Sequence, residues 1–118
     1  LEDHTIIDAR PNARFTGETP EPRAGLRSGH IPTSRNLFFK DLLYPNDTMR
    51  AVPQLQAAFA AAGADLTKPV ITTCGSGVTA AILSLALERI GKTDHALYDG
   101  SWAEWGMYDD LPLSTGDA

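Results

Sequence analysis

Short β-branched runs alternating with longer runs of helical spacing constrain this chain more than any other feature. Thr5-Ile6-Ile7-Asp8 predicts a strand ending at Asp8, and Pro69-Val70-Ile71-Thr72-Thr73 predicts a buried one. Ile31-Pro32, followed by Ser34-Arg35-Asn36-Leu37, predicts a turn feeding a further short strand, and His95-Ala96-Leu97-Tyr98 another. Between them, Pro53 opens a helix in which Leu55, Ala58, Phe59 and Ala62 share a face and Gly63 is the stop. From Val78 onward, Ala81, Ile82, Leu85, Ala86, Leu87 and Ile90 make a wide apolar face that ends at Gly91. Phe39 to Leu43 predicts a short helix, stopped by Tyr44-Pro45-Asn46-Asp47, while Pro11 to Pro32 reads as a long, shaped loop. A helical turn rich in Trp follows Asp99-Gly100. Strands alternating with helices imply a parallel sheet covered on both faces, so the fold class is α/β.

The 118 residues form one compact unit with no internal repeat or linker. A chain of this size buries roughly two-thirds of its unfolded surface. A net charge of −5 argues against a nucleic-acid or anionic-membrane surface, which calls for a basic patch. It does not oppose a small anionic substrate, because a local arginine cluster can override the global charge. No apolar run approaches the ~20 residues that cross a bilayer. There is no secretory signal at the start, and Leu1 opens directly into strand-like sequence, as expected of a piece of something longer. One cysteine makes no internal disulfide, which points to a reducing cytoplasm. The three histidines, at 4, 30 and 95, and the single cysteine lack metal-ligand spacing, so no metal is expected.

The chemistry is concentrated in Val70-Ile71-Thr72-Thr73-Cys74-Gly75-Ser76-Gly77-Val78-Thr79-Ala80. A buried strand ends, a cysteine follows at once, and a glycine-rich loop runs into the longest helix. Ligands of open α/β sheets bind beyond the carboxyl ends of the strands, where this places Cys74. Gly75 and Gly77 let the backbone curl so that N–H groups turn inward, and the helix adds its own unpaired N–H groups and dipole. Both favour a thiolate, and equally an anionic persulfide. The plainer alternative is a cysteine packed at a strand end beside a tight turn.

Cys74-Gly75-Ser76-Gly77-Val78-Thr79 resembles the active-site loop C-G-S-G-V-T of the 3-mercaptopyruvate sulfurtransferases in the rhodanese superfamily. The resemblance extends through Asp8-Ala9-Arg10, Arg14-Phe15-x-Gly17, Pro20-Glu21-Pro22-Arg23, Gly29-His30-Ile31-Pro32 and Tyr98-Asp99-Gly100-Ser101-Trp102-x-Glu104-Trp105. In two-domain members this pattern belongs to the second, catalytic domain, so residues 1–118 would be that domain and a first rhodanese domain its partner. The resemblance implies a five-stranded parallel sheet with helices on both faces. It also implies transfer of sulfur from mercaptopyruvate to an acceptor thiol, such as thioredoxin, or to cyanide. Transfer would pass through a cysteine persulfide, without metal or organic cofactor.

Under that resemblance Cys74 is the nucleophile and sulfur carrier, and the N–H groups from Gly75 through Ser76, Gly77, Val78 and Thr79 steady the persulfide. Ser76 matches a serine that joins a His/Asp pair from the first domain, a pair with no counterpart in this chain. Its alternative is a loop residue bonding its own backbone. Arg14 and Arg23 match the arginines that hold the substrate carboxylate, as a guanidinium can through two parallel hydrogen bonds. The alternative for both is salt bridging within the loop, for instance to Glu18 or Glu21. Thr79 caps or closes the loop. His30, Trp102 and Trp105 are assigned to structure, as are Asp8 and Arg10, read as an ion pair.

Three rival functions differ in chemistry. Thiosulfate sulfurtransferases resemble C-R-K-G-V-T, with basic side chains where this chain has Gly75 and Ser76, so a carboxylate donor is favoured here. Cysteine phosphatases need an arginine at the sixth place after the cysteine, which is Ala80. A sulfur-accepting binding module is favoured by a cleft lacking its first-domain wall and opposed by the intact Cys74 loop.

Overall fold

The computed structural model describes residues 3–22, 25–75 and 79–116. Four parallel strands, β1 (Thr5–Asp8), β2 (Arg35–Asn36), β3 (Val70–Thr73) and β4 (His95–Leu97), lie in the order β2-β1-β3-β4. The sheet has four strands among the described residues rather than the expected five, each within a segment where the sequence predicts a strand. In register, Asp8 lies opposite Thr73, so the segments leaving β1 and β3 emerge side by side at the carboxyl edge.

Alternation of side chains across the pleat divides the core in two. Ile7, Val70 and Leu97 face a layer built from a 3₁₀ turn (Phe39–Leu42), α2 (Val52–Ala61) and α3 (Ala80–Arg89). Leu42, Leu55, Phe59, Leu83 and Leu87 are fully buried there. The expected face of α2 holds at Leu55 and Phe59, whereas the face α3 buries is rotated from the expected one: Ala80 and Leu83 are buried with Ala86 and Leu87, and Leu85, 55% exposed, faces out with Ala81. Both helices stop where a glycine permits left-handed backbone, with φ of 77° at Gly63 and 88° at Gly91. Thr72 on the same face shares a 2.9 Å hydrogen bond with Ser84 of α3.

The opposite face carries Ile6 and Ile71, packed with Ile31, Trp102, Tyr98, Trp105 and Leu113. Its cover is α4 (Ser101–Trp105) and the chain that follows, tied back by an antiparallel bridge between His30 and Ser114. Arg27 holds α4 in place, donating to the carbonyls of Trp105, Gly106 and Leu111 at 3.1, 3.3 and 3.0 Å. The expected long loop over 11–32 contains a short helix, α1 (Asn12–Thr16), closed by Gly17 at φ 88°. Five residues begun by Pro11 give too little periodicity to be read from sequence.

His30, assigned to structure, is fully buried and stacked on Phe15 with ring centroids 3.8 Å apart. Its Nδ1 lies 2.8 Å from the Phe15 carbonyl, and burial pushes its pKa below the ordinary value of 6.5. No helix among the described residues is long and apolar enough to cross a membrane.

Candidate active site

Because β1 and β3 are neighbours, Arg10 and Cys74 leave the sheet next to one another. Ala9 N–H donates to the Thr73 carbonyl at 2.8 Å and locks the two exits together. The cysteine is then gripped from the far side. Trp102 N–H donates to the Cys74 carbonyl at 2.9 Å, and Ala103 N–H to the Gly75 carbonyl at 2.8 Å. Cys74 N–H donates to Ser101 Oγ at 3.1 Å, and the same oxygen lies 3.9 Å from Cys74 Sγ. The start of α4 therefore fixes both the N–H and the carbonyl of Cys74, and with them the peptide units on either side of it.

The thiol itself is 1% exposed and belongs to the apolar cluster that includes Ala9 and Ala80. It is more enclosed than the sequence suggests, since Thr72 and Thr73 at the end of β3 are buried and α4 closes over that end. Ser101 Oγ is a polar neighbour of the sulfur.

An open cavity of about 520 Å³ lies beside this point, lined in part by Arg10, Arg14, Glu21, Lys40, Gly75 and Thr79. That is a volume suited to a small ligand. Its charged lining is Arg10, Arg14, Lys40 and Glu21, with Asp8 paired to Arg10 behind it. Arg10 and Asp8 form the expected ion pair at 2.8 Å, both buried, and Arg10 Nη2 also donates to the Gly29 carbonyl at 2.7 Å. The Arg10 guanidinium carbon stands 4.8 Å above the Trp102 ring. Glu21, its side chain 2% exposed, accepts from Arg14 through a matched pair of bonds, Nε at 3.0 Å and Nη2 at 2.9 Å. Arg10 Nη1 reaches the same carboxylate at 3.4 Å.

The Arg14 guanidinium is consequently held even more firmly in its charged form than usual. The hydrogen bond to Glu21 is the chief cause, working against partial burial, and the charges of Glu21, Asp8 and Cys74 add to it.

Of the residues expected at the site, the structure brings together Cys74, Gly75, Thr79 and Arg14. Arg23, Ser76, Gly77 and Val78 lie outside the described residues. Thr79 occupies the N-cap position of α3, without a capping hydrogen bond from its side chain. Arg14 does form the Glu21 bridge weighed as its alternative, yet this uses only the Nε/Nη2 edge. Among the described residues Nη1 meets no acceptor, and a quarter of the side chain (26%) stays exposed at the cavity. The inward turn of N–H groups expected from Gly75 and Gly77 concerns residues 76–78, outside the described residues, but the space at Gly75 is described. Its backbone is not left-handed; a Cβ added to it would stand 2.6 Å from Arg14 Nη2.

Sequence reasoning missed three participants. Ser101 was seen only as part of a motif, although a serine directly after Asp99-Gly100 and before a helical turn can turn its hydroxyl back on a neighbouring strand end. Glu21 was seen only as a rival for Arg14, and Lys40 carried no signal. No cluster of metal-ligating side chains exists among the described residues.

The Rhodanese-like domain family matches residues 1–108. The chain is 46% identical over 117 residues to the mitochondrial thiosulfate/3-mercaptopyruvate sulfurtransferase 1 of Arabidopsis thaliana, covering 98% of this chain and 31% of the relative. It is 47% identical over 108 residues to the 3-mercaptopyruvate sulfurtransferase of Escherichia coli K12, covering 92% of this chain and 38% of that one. The crystal structure of Tum1 protein from Saccharomyces cerevisiae superposes with a TM-score of 0.88 at 35% identity, over 99% of this chain and 41% of the yeast chain. The chain thus spans about a third of the length of these curated relatives. On the match to nearly its whole length, it belongs to the rhodanese-like domain family.

Proposed function

We propose that this chain is the catalytic rhodanese domain of a sulfurtransferase that takes sulfur from 3-mercaptopyruvate onto Cys74 and passes it to a thiol or to cyanide. The observation that carries the reading is the placement of Arg14, a charged fork lining a small-ligand cavity, over Gly75, the residue that follows Cys74.

The chemistry balances without a cofactor. The Cys74 thiolate attacks the donor sulfur, an S–S bond forms, and the C–S bond breaks. Its electron pair leaves on carbon as the enolate of pyruvate, and the proton of the donor thiol ends on that carbon. An acceptor thiolate then attacks the outer sulfur and carries it away as a persulfide, returning the Cys74 thiolate. Arg14, with Arg23, would orient the donor carboxylate. Ser76 would bond the departing enolate oxygen, and the N–H groups of Gly75, Gly77, Val78 and Thr79 would steady the anionic persulfide. Thioredoxin-like thiols are the acceptors in view, in a reducing compartment such as the cytoplasm. The share of the relatives' length that is matched supports placing residues 1–118 as the second of two rhodanese domains, with the first as its partner.

The donor is tested by kcat/KM with cyanide as acceptor. A higher value for 3-mercaptopyruvate than for thiosulfate is expected; the reverse ranking transfers the assignment to thiosulfate. The 1% exposure of Cys74 favours a second reading, a rhodanese module that docks a partner without turning over small donors. Absence of turnover with both donors would select it.

A further inference from the structure

We propose that Glu21 is a positioning residue and that residue 75 must be glycine because the two together aim Arg14 at the donor anion. This deepens the function proposed above and rests on it. A guanidinium has two edges that can each grip a carboxylate, Nε with Nη2 and Nη1 with Nη2. Glu21 takes the first edge with bonds of 3.0 and 2.9 Å, and is itself immobilised, 2% exposed and approached by Arg10. Arg14 is then free to present only its second edge, and it does so with Nη2 inside the volume that a Cβ of residue 75 would fill.

A lone arginine tip could swing away from a methyl group at little cost. Arg14 cannot, because the swing breaks both bonds to a buried carboxylate and leaves it, among the described residues, with the 3.4 Å contact to Arg10. A side chain at 75 and an anion-reading Arg14 therefore exclude each other. Position 75 selects donor chemistry through the space it leaves, whereas a basic side chain there would replace the arginine as reader.

The test uses the 118-residue chain in a Cys74→Ser background, where 3-mercaptopyruvate binds without reacting, and in the parent, where the KM and kcat of sulfur transfer are read separately. Gly75→Ala and Glu21→Gln are each expected to weaken donor binding and raise KM by about tenfold, the loss of one charge-assisted contact, and in Glu21→Gln, which leaves the loop beside Cys74 untouched, kcat should stay within about twofold. In an Arg14→Lys background, which keeps the charge and lacks the fork, neither change should add a further loss. Thermal unfolding identifies any variant that fails to fold, and Gly75→Ala, at the cavity surface, stands in for Glu21→Gln if the buried change does not fold. Folded variants that bind the donor as the parent does, or losses that multiply with Arg14→Lys, overturn the proposal. Binding in the Cys74→Ser background without sulfur transfer by the parent removes the functional reading and leaves the arginine device standing. No binding in either removes both.

Discussion

Ser101 Oγ accepts a hydrogen bond from the Cys74 backbone N–H at 3.1 Å while donating to the Tyr98 carbonyl at 2.8 Å. One hydroxyl thus ties the end of β3 to the turn after β4, and it does so from a residue held at φ 52°, a conformation most side chains avoid. Local strain at Ser101 is offset by the placement it gives the cysteine.

Ser101→Ala leaves the Cys74 N–H buried without that acceptor. We expect a loss of about 1–3 kcal/mol in denaturant unfolding, and slower persulfide formation at unchanged donor KM. A stability equal to the parent's would show that the bond contributes nothing.

Trp102 is 1% exposed, lies beneath Arg10, and donates from Nε1 to the Arg27 carbonyl at 2.7 Å. Truncation to alanine opens the second core and frees the start of α4. A destabilisation of about 3–5 kcal/mol is expected, measured by urea unfolding.

Asp8→Ala removes the buried carboxylate that faces Arg10 at 2.8 Å. Glu21, farther away at 3.4 Å, is the carboxylate that remains. Breaking one side of such a pair costs about 3–5 kcal/mol, and the same unfolding assay reads it.

These three sites show where the sequence was legible and where it was not. The apolar spacing of Leu55 and Phe59 predicts α2, and the β-branched run at Thr5 predicts β1, because both patterns are local and periodic. The Asp8–Arg10 pair was legible for the same reason, being two residues apart. Ser101 was not, since its partner lies 27 residues away and is reached only when α4 docks across the end of β3. Glu21 stood in a segment without periodicity, where charge alone cannot tell a solvated residue from a buried clamp. Gly75 was read from its motif and from the curl a glycine allows, whereas the guanidinium standing over it belongs to tertiary structure.

His30 gives a pH dependence with a definite sign. Burial lowers its folded pKa below 6.5, so the unfolded chain takes up the proton first as pH falls. The stability from a neutral His30 is complete above about pH 6.5 and is lost progressively below it, down to the folded pKa. The melting temperature should be level on this account above neutrality and decline from pH 6.5 downward, with a shallower decline in His30→Gln. Equal slopes in the two proteins would assign the acid sensitivity to other groups.

The most direct measurement is the mass of the intact chain after incubation with 3-mercaptopyruvate in the absence of reductant. The account predicts a gain of one sulfur atom, located on Cys74, lost on addition of a thiol and absent from Cys74→Ser. An unmodified Cys74 in the folded protein, or sulfur retained by the Cys74→Ser variant, would contradict it.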